Sequence, residues 1–406
     1  MKLLHTADWH LGQHLCDQDR AIEHQRFLDF LIGVIRDEAI DLFVHAGDVF
    51  HTANPPNSAL RQYYRFLLEL ANSPCRMAVI TGGNHDAVST LNAPRELLRT
   101  FDIHVVGGAT DPLDDELVLL HDENGRPEAA VAAVPFLRDR DLRTGGGEER
   151  PDARDAQIRE GIRAHYRRLG ELARPHAEAG LPVIATGHLY AAGSTPSDSE
   201  KDIHIGNLGQ VGADVFPDTF AYVALGHLHR PQIVGGQDHI RYAGSPIPLS
   251  FSEIQDGKQV LIVAFDGPAV SGIRSIPVPT TRELRRFSGD PDTVREALHK
   301  AQNHDGSLAT WGEVRLELDG YDPEIARTLR EEVDPERLDL LKVSVTYRGN
   351  AAAAEPEHPE ESLDDLSPAE VFQRRCDAYG IDPAEKAELA RTFAELLDGM
   401  NEEQES

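Results

Sequence analysis

Short apolar runs and helical faces alternate along the first hundred residues. Residues 3–7 (LLHTA) form a run of strand length. Over residues 21–38 the apolar positions Ile22, Phe27, Phe30, Leu31, Val34 and Ile35 fit one face of a helix. Residues 41–46 (DLFVHA) read as a second strand, residues 57–70 as a second helix after the Pro55-Pro56 break, and residues 77–81 (MAVIT) as a third strand. This order predicts a parallel sheet covered by helices, with functional groups at the carboxyl ends of the strands.

Beyond Gly107 the pattern changes to strand pairs, at residues 117–120 and 130–134. A helix over residues 157–179 and strands at 183–186 and 221–225 follow, and runs at 239–242 and 259–265 are expected to complete a second sheet packed on the first. The predicted fold class is α/β, an αββα sandwich. Residues 138–154, charged and containing Gly145-Gly146-Gly147, read as a loop. Pro277-Val278-Pro279 marks a boundary, so residues 1–277 are expected to form the main domain. Strand runs at 283–287, 313–318 and 341–347, with helices at 291–302 and 323–332, then predict a small α+β cap over residues 280–349. Residues 350–362 are a linker by composition.

Residues 363–401 predict a C-terminal helix pair. Ser367-Pro368-Ala369-Glu370 is a capping box with Pro at its first helical position, and Asp382-Pro383-Ala384-Glu385 repeats the cap. Leu389, Phe393, Leu396, Leu397 and Met400 then form one apolar stripe. Two such helices beyond a linker have no core of their own; they either fold back or dock on a partner, and the linker favours docking.

Composition refines this picture. At 406 residues the chain exceeds one compact core and allows a large domain with appendages. It contains no apolar run of membrane-spanning length and no signal-peptide pattern, so the expected compartment is the cytoplasm. Cys16, Cys75 and Cys376 are scattered and odd in number, as ordinary thiols are. The net charge of -29 runs against the usual nucleic-acid binder. Divalent cations in a carboxylate-lined site reverse that sign locally, however, and much of the acid lies after Ala351.

Metal-ligand residue types stand just after these strand runs: Asp8-Trp9-His10, Gly47-Asp48, Gly82-Gly83-Asn84-His85-Asp86, Gly187-His188 and Gly226-His227-Leu228-His229. Hydrolysis with two metals needs oxygen and imidazole ligands that hold two cations about 3.5–4 Å apart. Asp8 and His10, two apart on an extended segment, can address one ion. Asp48 has two oxygens and is the natural bridge, Asn84 offers a neutral carbonyl oxygen, and His188, His227 and His229 supply imidazoles. Any one of these histidines alone is more often a packing residue, and it is the ordered set that points to metal. His5 and His45, inside strand runs, read as structural. His14, His24, His104, His165, His176, His204 and His239 read as surface or packing residues, and Trp9 as packing or as support for the ligands beside it.

The five clusters resemble the calcineurin-like metallophosphoesterases, with each expected ligand present. Longer strings, residues 4–12 (LHTADWHLG), 47–50 (GDVF), 242–251 (YAGSPIPLSF) and 366–372 (LSPAEVF), are similar to the bacterial SbcD nuclease family. The resemblance implies a first ion on Asp8, His10, Asp48 and His229, and a second on Asp48, Asn84, His188 and His227. It implies His85 as the general acid for the leaving 3'-oxygen, with Asp86 orienting and charging it, and His51 as a further candidate. It also implies two Mn²⁺ ions, activity on DNA ends and hairpins, a homodimer within a heterotetramer, and an SbcC-type ATPase bound through the tail helices. Alternatives are a phosphatase or phosphodiesterase for small phosphoesters, which has little need of a tethered helix pair, and a non-catalytic scaffold, which has little need of an intact ligand set. The arginines of residues 138–143 suit either phosphate contact or a solvated loop.

Overall fold

The computed structural model describes residues 1–122, 124–142, 151–191, 211–302, 308–320 and 322–347, with Phe372, Cys376, Lys386, Leu389, Thr392 and Phe393 beyond them. Two six-stranded sheets lie face to face. The first runs in the order Ala269–Pro277, Gln259–Asp266, Lys2–Thr6, Leu42–Ala46, Met77–Thr81, Ile103–Val106. Its last four strands are mutually parallel, as the strand-helix alternation predicts. The second sheet runs Gln232–Val234, Gln237–Tyr242, Tyr222–Gly226, Val183–His188, Pro127–Ala132, Leu117–His121.

Period-two alternation sends neighbouring residues to opposite faces. Leu3, Val44, Val79 and Val263 meet Val131, Ile184, Tyr222 and Ala224 of the second sheet in a buried inner layer. Leu4, Phe43, Ala78 and Ile80 pack outward against helices Ala21–Asp37 and Asn57–Ala71. On the far side, Ala132, Ala185, Val223 and Leu225 pack against helix Pro151–Glu178 through Ile158, Ile162, Tyr166 and Leu169. The result is the αββα sandwich.

Three expectations change. The strand Gln259–Asp266 joins the first sheet, antiparallel to Lys2–Thr6, rather than completing the second. It is nearly all apolar and buried on both faces, so no period marks its sheet. Ile22 is 51% exposed, because the buried face of its helix runs through Glu23, His24, Phe27, Leu28 and Leu31 and leaves Ile22 on the opposite side. Helices Asp139–Leu142 and Pro151–Glu178 take up both ends of the charged stretch read as a loop, whose middle lies outside the described residues.

A third sheet of parallel strands, Leu284–Gly289, Thr310–Leu318 and Leu338–Tyr347, carries helices Pro291–Ala301 and Ile325–Glu331 on its own core of Val294, Leu298, Val314, Leu316 and Leu329. Asp290 caps the first of these helices, its carboxylate accepting from the N–H groups of Asp292 and Thr293. This unit meets the sandwich through a cluster of Leu15, Phe251, Leu284 and Trp311. Beside it, buried Glu23 pairs with Arg20 at 3.0 Å and Arg282 at 2.9 Å. Both guanidinium groups lie over the Trp311 ring, Arg282 at 4.0 Å.

The linker and most of the tail, including both capping boxes, lie outside the described residues. The tail residues that are described are helical, and Phe372 and Phe393 stack with ring centroids 4.3 Å apart. Among the described residues no helix is long and apolar enough to cross a membrane.

Candidate metal centre

The sequence clusters meet where the carboxyl ends of the two sheets converge. Chain turns after the strands Lys2–Thr6 and Leu42–Ala46 zip together: Asp8 N–H donates to Gly47 O at 3.0 Å, His10 N–H to Asp48 O at 3.1 Å and Leu11 N–H to Val49 O at 2.9 Å. Asp8, His10, Asp48 and His227 all hold positive φ, 54°, 48°, 58° and 99°. Residues other than glycine adopt that region at a cost of about 1–3 kcal/mol and do so chiefly at functional sites. The strain here turns Asp8 and His10, on either side of Trp9, toward a shared point.

Contacts across the seam complete the cluster. His227 N–H donates to Asp8 Oδ1 at 2.8 Å. His188 Nδ1 meets Ala46 O at 3.0 Å, which makes Nδ1 the donor and turns Nε2 toward Asn84 Oδ1 at 2.9 Å and Asp48 Oδ2 at 3.3 Å. His227 Nδ1 lies 3.2 Å from the same Asn84 oxygen, and His10 Nε2 lies 3.5 Å from Asp48 Oδ2. The His10 and His229 rings are 5.1 Å apart. All seven residues picked as ligands therefore gather in one place.

The donor set suits divalent cations. Ligand atoms of Asp8, His10 and His229 lie within 4.8 Å of one another, as do those of Asp8, Asp48 and His188. Asp8 Oδ2 and His10 Nε2 are buried without a hydrogen-bond partner, although buried polar atoms are ordinarily satisfied. Burial lifts the Asp8 carboxyl to about 7 against the opposing pull of His188 and His229. Burial also opposes the charge on Asp48, but His188, His10 and His85 outweigh it and hold that carboxyl well below its usual range. His188 reaches about 9 because Asp48 and Asp8 overcome its burial. Two buried carboxylates thus compete for the same imidazoles, a conflict that extra positive charge between them relieves.

His85 stands at the edge of this centre. Its N–H donates to Asp48 Oδ1 at 2.9 Å, and its ring lies 4.9 Å from that of His10. Its Nδ1 meets the His51 carbonyl at 2.7 Å, so Nδ1 is the donor; Nε2 is buried with no hydrogen-bond partner. His51 also brings its ring to His10, with Nδ1 atoms 3.4 Å apart, and burial, helped by the neighbouring His85, holds it down to about 4.

Asp86 departs from expectation: its carboxylate does not meet His85. It accepts instead from the N–H groups of Val49 at 3.1 Å, Phe50 at 2.9 Å and Gly83 at 2.9 Å. It ties the turn carrying Asn84 and His85 to the turn carrying Asp48. Trp9 likewise points away from the centre, into the core against Phe27, Phe43, His45 and Phe66. Arg138 borders the site, its guanidinium donating to Asp86 O at 3.2 Å.

Residues 1–231 match the calcineurin-like phosphoesterase family, and residues 280–379 match the SbcD-type family described as Type 5 capsule protein repressor C-terminal domain. The chain is 34% identical over 412 residues to the SbcD subunit of nuclease SbcCD from Escherichia coli strain K12, covering 100% of both chains. It is 40% identical over 299 residues to the corresponding subunit from Rhodobacter capsulatus, covering 71% of each. The chain belongs to the SbcD family of metallophosphoesterase nucleases. The corresponding subunit from Bacillus subtilis is 37% identical over 269 residues, with 65% of this chain and 66% of that one covered.

For an SbcD-family site, sequence reading passed over a buried residue that touches a candidate ligand. Glu253, 0% exposed, faces His229 Nδ1 at 3.1 Å. The available signal was a lone acid just after an otherwise uncharged stretch, residues 242–252. Phe136 was also missed; its ring packs edge-on against His188 at 6.1 Å.

Proposed function

We propose that this chain is the nuclease subunit of an SbcCD-type complex. It acts as an Mn²⁺-dependent, ATP-linked 3'-to-5' exonuclease on duplex DNA ends and as an endonuclease on single strands and hairpins. Its place is DNA repair, recombination and replication, in the cytoplasm at the nucleoid. The observation that carries the reading is His85 Nε2, buried and unpartnered beside the converging ligands.

Asp8, His10, Asp48 and His229 would hold a first ion, and Asp48, Asn84, His188 and His227 a second. Once bound, the pair supplies an activated water and offsets charge building on the phosphoryl oxygens. The chain's own residues do the rest. The His51 carbonyl accepts a hydrogen bond from Nδ1–H of His85 and favours the imidazolium form, whose Nε2 proton passes to the leaving 3'-oxygen and leaves the neutral Nδ1–H ring behind. Asp86 holds the His85 turn on the Asp48 turn through backbone N–H groups, which keeps the acid in register with the scissile bond. Arg138 has no carboxylate partner for its guanidinium among the described residues, and its charge supports contact with a DNA phosphate at the rim.

Residues 1–277 would be the nuclease domain, 280–349 a cap that positions DNA, 350–362 a linker and 363–401 the helices that dock on the SbcC-type ATPase. The Phe372–Phe393 stack supports those helices acting as a pair. Tyr64, Leu68, Leu97 and Phe101, exposed by 43%, 63%, 65% and 53%, line one apolar groove, which supports a homodimer within the heterotetramer.

The test incubates the purified chain with end-labelled linear duplex and Mn²⁺, with and without chelator, beside His85→Ala. Progressive, chelator-sensitive shortening that the variant loses is the expected result. Hydrolysis of bis-p-nitrophenyl phosphate with intact duplex, unchanged when the ATPase partner is added, would favour a small phosphoester substrate instead.

A further inference from the structure

Glu253 sits on the short turn Phe251–Glu253, and its two carboxylate oxygens face different groups. Oε1 lies 3.1 Å from Nδ1 of His229. Oε2 accepts from Leu249 N–H at 3.1 Å and from the Lys258 ammonium at 2.6 Å, and lies 3.2 Å from the Ser245 hydroxyl. Lys258 also donates to Ser245 Oγ at 2.8 Å and to the His229 carbonyl at 3.1 Å, and Ser245 N–H donates to that carbonyl at 3.1 Å. One buried cluster therefore grips His229 by both ring and backbone. A carboxylate only accepts, so Nδ1 carries the proton and the lone pair of the ring stays on Nε2.

We propose that Glu253 is a positioning residue, which sets the tautomer and ring orientation of His229 so that Nε2 faces the ion shared with Asp8 and His10. This rests on the assignment of His229 to the first ion. Lys258 and Ser245 act behind it by fixing the carboxylate. Groups that orient a metal-binding imidazole from its far side affect affinity nearly as much as the ligands themselves.

The test is a calorimetric titration of the full-length, metal-free chain with MnCl₂, comparing wild type, Glu253→Asp and the double variant Glu253→Gln/Lys258→Met. Asp keeps a charge opposite Lys258 but draws it back from His229; the double variant removes both charges together and so avoids a buried, unpaired ammonium. Wild type is expected to take up two ions. Each variant is expected to weaken one of them by about 10- to 100-fold and leave the other unchanged, with a metal-free melting curve close to wild type. A folded variant that binds both ions as wild type does, or weakens both equally, overturns the inference. Wild type taking up fewer than two ions overturns the two-ion assignment beneath it, and the inference with it.

Discussion

Gly226 ends the strand Tyr222–Gly226, directly before His227, at a point where the two sheets meet backbone to backbone. A Cβ built there lies 1.9 Å from the Ala46 carbonyl oxygen and 3.0 Å from the Ala7 Cβ. Ala46 ends a strand of the first sheet one residue before Gly47-Asp48, and Ala7 directly follows another, one residue before Asp8. Carbon–oxygen contacts settle at about 3.3 Å, so Gly226→Ala forces a parting of ~1.4 Å. Asp8 and Asp48 lie on one side of that seam and His188, His227 and His229 on the other. A misplacement of about 1 Å among reacting groups costs roughly a hundredfold in rate. The overpacking itself costs about 1–3 kcal/mol in stability. The assay is Mn²⁺-dependent hydrolysis of bis-p-nitrophenyl phosphate beside urea unfolding of the metal-free chain. Gly33→Ala is the control: it lies within helix Ala21–Asp37, a Cβ there meets nothing within 4 Å, and the exchange should stabilise by about 0.5–1 kcal/mol at unchanged activity. Near-wild-type turnover by Gly226→Ala would refute the claim that this contact sets the distance between the two ligand groups.

Excess Mn²⁺ should raise the unfolding midpoint, because an ion at 100 times its Kd adds about 2.7 kcal/mol per site, and chelator should reverse it; a midpoint indifferent to both rejects the two-ion centre. Glu23→Gln leaves the Arg20 guanidinium, 1% exposed, without its carboxylate, and should cost about 3–5 kcal/mol in urea unfolding; a loss near zero would mean that the Pro248 carbonyl suffices to hold Arg20. Burial holds His24 down to about 3 from 6.5, so its contribution is complete above pH 6.5 and is lost as pH falls toward 3. Between about pH 8 and pH 5 that amounts to ~2 kcal/mol. His24→Leu should flatten the stability–pH curve by this amount, and an unchanged curve would show that His24 takes up its proton without unfolding.

Much of the centre was legible because metal ligation restricts side-chain chemistry and parallel strands restrict place. Asp8, Asp48 and Asn84 each follow a run that reads as a buried strand, and in the second sheet His188 ends such a strand and His227 follows one. The role of Asp86 was not legible. Adjacency suggested a pair with His85, but the tight turn separates the two side chains, and backbone N–H groups brought from residues 49 and 50 claim the carboxylate. Glu253 escaped because its partner lies 24 residues away and nothing local marks the contact.

By itself, then, the sequence determined most of the strands and helices of the sandwich, though not the strands Gln232–Val234 and Ala269–Pro277, and it placed the candidate ligands at strand ends, since each depends on local periodicity and on the chemistry of single side chains. Tertiary structure alone decided that the strand Gln259–Asp266 borders Lys2–Thr6, that four candidate ligands adopt left-handed backbone, and which buried groups surround them. Those outcomes depend on which surfaces meet. A nearly all-apolar strand can join either sheet, and a buried carboxylate goes wherever donors converge, so only the packed chain selects between them.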